Sequence, residues 1–128
     1  AGALAIGVGV STICYVFVAY LKPKFGYDDS LDAFGVHGVG GIWGALATGL
    51  FATKAVNAAG NDGLFYSNPG LFLIQLKATV ISIVFAFVMS VILLKLVDLV
   101  IGLRVTEQSE RIGLDLTEHR ESGYTILE

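Results

Sequence analysis

The sequence predicts an all-α integral membrane protein with three transmembrane helices and a polar C-terminal tail. Hydrophobic residues make up 55% of the 128 residues and charged residues 15%, whereas a soluble domain carries about a quarter charged residues. The apolar residues fall into three long blocks, at about 1–21, 34–52 and 71–100, and each is long enough to cross a bilayer as a helix. We therefore predict a transmembrane region over residues 1–101 and a tail over residues 102–128.

The net charge and the cysteine content exclude several kinds of function. The formal net charge is −3, which argues against a nucleic-acid-binding surface because such surfaces are basic. Cys14 is the single cysteine, so the chain has no internal disulfide and no cysteine metal site. We expect no metal, no cofactor and no enzymatic activity. The chain starts at Ala1 without a basic segment, which predicts that it is an internal part of a longer protein.

The first apolar block ends in a pattern typical of a membrane surface. Residues 1–21 are uncharged and make a helix of about 31 Å, enough for one crossing. Tyr15, Phe17 and Tyr20 precede two lysines in Lys22-Pro23-Lys24. Aromatic rings favour the membrane interface, and lysine side chains extend towards the headgroups. We predict that the first helix ends there.

The connection to the second block is acidic, and its carboxylates stand just ahead of the next predicted helix. It carries Asp28, Asp29 and Asp32. A carboxylate at this point accepts hydrogen bonds from exposed backbone N–H groups and faces the positive end of the helix dipole. We predict that Asp29 and Asp32 support the start of the helix structurally; direct binding of an ion is the alternative.

The second block contains one titratable group in an otherwise uncharged apolar run. At about 100° per residue, one face holds His37, Gly40, Gly41, Gly44 and Thr48, and the opposite face holds Val39, Ile42, Leu46 and Leu50. The aliphatic face suits lipid or apolar packing. An ionisable group inside a membrane is costly and commonly faces a cavity or a transport path. We predict that His37 is buried and lines a pore; the alternative is that the glycines only let a neighbouring helix approach closely.

The rest of the chain comprises a polar loop, a third apolar block and the tail. Turn residues between 53 and 68 predict an exposed loop. Residues 71–100 make about 45 Å of helix, so this helix must tilt or protrude from the bilayer. The tail after Gly102 has too few apolar residues for a core of its own. It either docks on a surface or is a disordered extension.

Basic residues predict the orientation in the membrane, because cytoplasmic connections carry an excess of lysine and arginine. The loop between the second and third blocks carries Lys54 alone. The opposite side collects Lys22, Lys24, Lys95, Arg104 and Arg111. We therefore predict a multi-pass protein of the plasma (inner) membrane with a cytoplasmic C-terminus.

The stretch Asp28–Gly44, which reads DDSLDAFGVHGVGGIWG, resembles the ammonium transporter family with its Amt, Mep and Rhesus branches. The segments Gly102–Val105 and Glu110–Asp115 resemble the cytoplasmic tail of that family. Together with the spacing of the three blocks, the resemblance covers the whole chain. It implies a fold of eleven transmembrane helices in two inverted halves, assembled as a homotrimer with one pore per subunit. The three helices here then match the last three.

The resemblance also implies a function, which is transport of ammonium or ammonia across a membrane through a hydrophobic pore. It makes His37 the second of two pore histidines that are hydrogen-bonded across a narrow channel, with Gly41 and Gly44 beside it on the substrate path. In the tail, Gly113 and Asp115 match the regulatory motif, and Thr117 matches a position that is modified in plant relatives. A PII-type signalling protein that binds this tail is the implied partner.

Two other functions are alternatives to transport. An ammonium sensor would use a transporter-like core to signal through its cytoplasmic tail. An axial haem ligand is the other role for His37, but the second histidine, His119, falls in the tail, which weighs against it.

Overall fold

The computed structural model describes residues 1–123, and this part of the chain contains helices and loops but no β-strand. Three helices are long and apolar enough to cross a membrane, namely Gly2–Phe25, Phe34–Phe51 and Pro69–Val100. They are termed the first, second and third spans, and they confirm the three apolar helices that the sequence predicts. The chain divides into two compact units, Ala1–Phe85 and a second unit that begins at Ala86.

The first span contains a widened turn near its end. Helix α1, Gly2–Val16, continues into a π-helical turn at Phe17–Leu21 and then into the short helix α2, Lys22–Phe25. The sequence predicts an end near residue 21. The helix continues for one more turn, because the backbone stays right-handed helical through Leu21 and Lys22 into the turn that contains Pro23. Gly26, with φ of +63°, then ends the span.

The second span begins with another widened turn. Residues Phe34–Gly38 form a π-helical turn that continues into helix α3, Val39–Phe51. The helix ends at Ala52, whose ψ angle of 143° turns the chain away from the helix axis. π-Helical turns are rare and are frequent at functional sites. This one contains His37, and the sequence pattern alone did not predict it.

Small residues allow the first and second spans to approach closely. A Cβ atom at Gly9 would lie 2.5 Å from Cζ2 of Trp43, and one at Gly35 would lie 2.8 Å from Cγ2 of Val18. The indole N–H of Trp43 donates a hydrogen bond to the carbonyl oxygen of Ile6 at 3.0 Å. Glycines on both helices therefore set the contact between the two spans.

The loop after α3 folds back onto the end of that helix. The N–H group of Gly63 donates to the carbonyl oxygen of Ala52 at 2.8 Å, and the rings of Phe51 and Phe65 meet edge to face with centroids 5.0 Å apart. A Cβ atom at Gly63 would lie 2.6 Å from the carbonyl oxygen of Gly49. The polar loop is therefore anchored to α3.

The third span is helix α4, Pro69–Val100, whose 32 residues extend over about 48 Å. Its first turns pack on α3, where a Cβ atom at Gly49 would lie 2.9 Å from Cα of Phe72. The buried hydroxyl of Thr79 donates to the carbonyl oxygen of Gln75 at 2.8 Å. Many large apolar side chains along α4 are exposed, which leaves them available to lipid or to further helices.

The second unit contains the C-terminal part of α4 and the tail. Gly102, with φ of +79°, follows the end of α4. Helix α5, Glu107–Ile112, begins at Thr106, whose hydroxyl oxygen accepts a hydrogen bond from the N–H group of Ser109 at 3.2 Å. A π-helical turn follows at Asp115–His119. Between residues 102 and 123 the tail therefore contains two short helical segments joined by irregular backbone.

Candidate functional site

Asp29 closes the N-terminal end of the second span. Its carboxylate accepts hydrogen bonds from three consecutive backbone N–H groups, those of Ala33, Phe34 and Gly35, at 2.8, 3.0 and 3.4 Å. Its carbonyl oxygen accepts a fourth, from the N–H group of Asp32 at 3.1 Å. The first four N–H groups of a helix lack partners within the helix. The Asp29 carboxylate therefore supplies acceptors for three of them, those of Ala33, Phe34 and Gly35.

Asp32 joins the first span to the second. Its Oδ1 atom lies 2.6 Å from Nζ of Lys22, and its carbonyl oxygen accepts a hydrogen bond from the N–H group of Val36 at 2.9 Å. The φ angle of Asp32 is +54°, a left-handed conformation that aspartate tolerates better than most residues do. The sequence predicts Lys22 as a membrane-surface anchor and does not predict its ion pair with Asp32. The two residues are ten positions apart, and the geometry of the loop between them cannot be inferred from a residue pattern.

His37 lies in the π-helical turn, and its side chain is exposed within the described chain. The described residues alone do not bury it, and the predicted burial in a pore stays a prediction. The reason is that α1 and α4 contact other sides of the second span. Any burial of the imidazole has to come from lipid or from segments other than the described residues.

Three further positions continue this open side along α3. Gly41 and Thr48 are exposed and Gly44 is half-buried, and a Cβ atom at Gly41 or Gly44 would meet no atom within 4 Å. Steps of three or four residues keep side chains on one side of a helix. His37, Gly41, Gly44 and Thr48 are termed the open stripe. It brings the predicted pore residues His37, Gly41 and Gly44 to one side of the second span.

Two other residues of the second span are packed. Gly40, which shares the His37 face on a helical projection, lies against α1, because a Cβ atom there would be 3.3 Å from both Sγ of Cys14 and Cγ2 of Val10. Val39, on the aliphatic face that suits lipid or apolar packing, is buried with 7% exposure. A helical projection shows which residues share a face, but it cannot show which direction a neighbouring helix occupies.

In the tail, Gly113, Asp115 and Thr117 form one hydrogen-bonded loop. Oδ2 of Asp115 accepts a hydrogen bond from the N–H group of Gly123 at 3.0 Å. The hydroxyl of Thr117 donates to the carbonyl oxygen of Gly113 at 3.0 Å, so it bonds back by four residues and does not cap a helix. Gly113 has a φ angle of +112°. Sequence reasoning missed Gly123, which lies outside the tail motif, and no sequence signal marks its bond to Asp115.

These hydrogen bonds hold the pKa of Asp115 below its usual range. The N–H group of Gly123 is the main cause, and the N–H group of Leu116 adds to it. A lowered pKa contributes stability above the pKa of the unfolded chain, and this contribution is lost as the pH falls through the folded-state pKa. The closure of the loop by Asp115 and Gly123 is therefore complete at neutral pH and weakens in acid.

The open stripe has a restricted chemistry. A neutral imidazole carries one hydrogen-bond donor and one acceptor, so His37 can guide a small polar solute or pass on a proton. Residues 1–123 contain no group of three His, Cys, Asp or Glu side chains that could hold a metal ion. The hydroxyl of Thr48 donates to the carbonyl oxygen of Gly44 at 2.9 Å, so the titratable group of the stripe is the imidazole.

Asp29→Ala is expected to destabilise the start of the second span, because three of its N–H groups lose the carboxylate that accepts their hydrogen bonds. Removing a capping side chain costs about 0.5–2 kcal/mol, and three lost bonds put the cost near the upper end. Thermal unfolding of the complete protein in detergent measures the change. Asp29→Asn keeps one acceptor oxygen and is expected to lose less. Equal stability of Asp29→Ala and the wild type would contradict the capping role.

Comparison with known proteins agrees with the resemblance noted in the sequence. The chain matches the family model described as Ammonium Transporter Family over residues 1–124. It is 50% identical over 121 residues to an ammonium transporter of Bacillus subtilis, a match that covers 94% of this chain and 30% of that protein. It is 43% identical over 125 residues to an ammonium transporter of Aquifex aeolicus, covering 98% of this chain and 29% of that protein.

A third relative, ammonium transporter Amt1 of Archaeoglobus fulgidus, is 43% identical over 125 residues, with 97% of this chain and 31% of that protein covered. The chain therefore spans about 30% of the length of these curated relatives.

Proposed function

We infer the function from one premise, which is that the chain belongs to the ammonium transporter family. The family and the three apolar spans make it a membrane protein, and relatives named as transporters imply a role other than enzymatic catalysis. We propose that the chain forms one wall of a pore that carries ammonium or ammonia within a complete transporter. The open stripe supports this proposal, because it combines an imidazole with residues too small to close the space in front of them.

In this proposal His37, Gly41 and Gly44 line the substrate path. Ammonium is a hydrated cation, and an apolar passage opposes it through a large desolvation cost. A neutral imidazole offers a donor and an acceptor inside such a passage. His37 can therefore guide neutral ammonia, or accept and return the proton that ammonium gives up. A second pore histidine, supplied by another part of the complete transporter, completes the hydrogen-bonded pair.

We further propose a homotrimer in the plasma membrane, with residues 1–101 in the bilayer and residues 102–128 in the cytoplasm. The charge distribution supports this orientation. Lys22, Lys24, Arg104 and Arg111 fall on the proposed cytoplasmic side, whereas the loop between the second and third spans has Lys54 alone. The loop formed by Gly113, Asp115 and Thr117 is then accessible to a cytoplasmic regulator of the PII type.

Gly41→Leu is expected to lower ammonium uptake by the complete transporter at least about tenfold, because one large side chain closes a pore of small-solute width. A Cβ atom at Gly41 meets no atom within 4 Å, so the substitution leaves the contact between α1 and α3 intact. Uptake of ammonium and of labelled methylammonium is measured in cells, together with the amount of assembled protein in the membrane.

Ile42→Leu is the matched control and is expected to be nearly silent. Gly40→Leu tests the other side of the helix. Its side chain would collide with Cys14 and Val10, so it is expected to reduce the amount of assembled protein. Equal tolerance of Gly41→Leu and Ile42→Leu would contradict the proposed path.

A further inference from the structure

We propose that Lys22 is a positioning residue for His37 and that it acts through Asp32. The proposal rests on the pore role of His37 proposed above. Lys22 Nζ lies 2.6 Å from Oδ1 of Asp32, with side chains that are 27% and 34% exposed. A charge-assisted hydrogen bond of this length between half-buried groups holds its partners more firmly than an exposed surface pair does.

The ion pair connects the end of one span to the start of the next. Lys22 opens α2 directly after the π-helical turn Phe17–Leu21. Asp32 directly precedes the helical turns that lead to His37. The rings of Phe17 and Phe34 also meet edge to face, with centroids 6.4 Å apart. The pair is therefore part of a junction at which the widened turns of both spans meet.

The conformation of Asp32 explains how the pair reaches His37. Its left-handed backbone, with φ of +54°, sets the direction in which the second span leaves the loop, and L-residues adopt this conformation only at a cost. The salt bridge with Lys22 offsets that cost. The carbonyl oxygen of Asp32 accepts a hydrogen bond from the N–H group of Val36, the residue immediately before His37. A change at Asp32 therefore rotates the first turns of the span, including the imidazole.

The neighbouring lysine distinguishes this role from simple membrane anchoring. Lys24 follows Lys22 by two residues and is exposed, as expected of a side chain that extends to the headgroups. Lys22 is half-buried and paired. If both lysines were anchors, their replacement would have the same effect.

Cys14 provides a direct report on the geometry of this junction. Its Sγ atom lies 3.6 Å from the carbonyl oxygen of Val36, and the side chain is half-buried. Rotation of the first turns of the second span would separate these two atoms and expose the thiol. The rate at which Cys14 reacts with a maleimide therefore reports the position of Val36 independently of transport.

The experiment uses a complete transporter in which other cysteines are replaced by serine, with the variants Lys22→Met, Asp32→Asn, the double variant, Lys22→Arg and Lys24→Met. Lys22→Met and Asp32→Asn are each expected to lower maximal uptake about tenfold, because each displaces the imidazole of His37. Each is also expected to alter the ratio of ammonium to methylammonium uptake and to speed the labelling of Cys14. The double variant is expected to be no worse than either single variant, because both remove one interaction. Lys22→Arg restores uptake, and Lys24→Met matches the wild type.

Several outcomes would overturn the proposal. Additive losses in the double variant, or an unchanged rate of Cys14 labelling, would mean that Lys22 does not act through Asp32 on the second span. Equal losses in Lys22→Met and Lys24→Met would make both lysines anchors. Wild-type uptake in Lys22→Met would refute the positioning role, whereas the pore role of His37 fails separately if Gly41→Leu leaves uptake unchanged.

Discussion

His37→Ala in a complete transporter is expected to abolish ammonium uptake or to change its selectivity between ammonium and methylammonium. Alanine removes the one titratable side chain between Phe34 and Ala52, and with it the donor and acceptor of the proposed path. Loss of one positioned group that handles protons lowers rates by about a hundredfold or more. The variant is expected to assemble normally, because the close contact of the second span with the first passes through Gly35 and Gly40 and not through His37.

Uptake of both solutes, normalised to the amount of assembled protein, measures this effect. His119→Ala is the matched control, since it removes the same group from the tail and is expected to leave selectivity unchanged. Wild-type uptake and wild-type selectivity in His37→Ala would remove His37 from the path. The glycines of the second span would then serve close helix packing alone.

Gly113→Asp is expected to inactivate transport while leaving the spans assembled. The φ angle of +112° at Gly113 is one that residues with a Cβ atom rarely adopt. A Cβ atom there would lie 2.6 Å from Oδ1 of Asp115, and a second carboxylate beside Asp115 adds repulsion between like charges. The substitution therefore displaces Asp115 from Gly123 and opens the tail loop. If this loop regulates the pore, uptake falls to background.

Two further variants separate the causes of this loss. Gly102→Asp shares the positive φ angle, but a Cβ atom at Gly102 meets no atom within 4 Å, so a smaller loss is expected.

Thr117→Asp removes the hydroxyl that donates to Gly113 and adds negative charge near Asp115, which is expected to lower uptake partially. Uptake is compared with the amount of intact assembly on native gels. Wild-type uptake in both Gly113→Asp and Thr117→Asp would make the tail a passive extension.

The three spans were predictable because a bilayer imposes a length and a composition on any helix that crosses it. Charges and turn residues mark their limits. The first span nevertheless continues past residue 21 to Phe25, since its backbone stays helical through Lys22 and Pro23. The pattern of apolar residues determines that helices exist more reliably than it determines where they end.

Contacts between the spans were less predictable. Gly40 lies against α1, and a helical projection cannot show on which side of the second span α1 lies. The capping role of Asp29 follows from general helix chemistry, but the number of its hydrogen bonds depends on the path of the loop. The ion pair of Lys22 and Asp32 depends on the path of the same loop and on the left-handed backbone of Asp32. No residue pattern predicts that backbone conformation. Tertiary geometry therefore supplied most of the detail of the site.

The two widened turns affect how this chain must be aligned with distant relatives. A π-helical turn closes its hydrogen bond over one more residue than an α-helical turn does, so each of Phe17–Leu21 and Phe34–Gly38 amounts to a one-residue insertion within a membrane helix. A relative with regular turns would need a gap inside each helix, where gaps are ordinarily avoided. Without that gap, residues on one side of His37 would be matched about 100° out of phase, and its true counterpart would be missed.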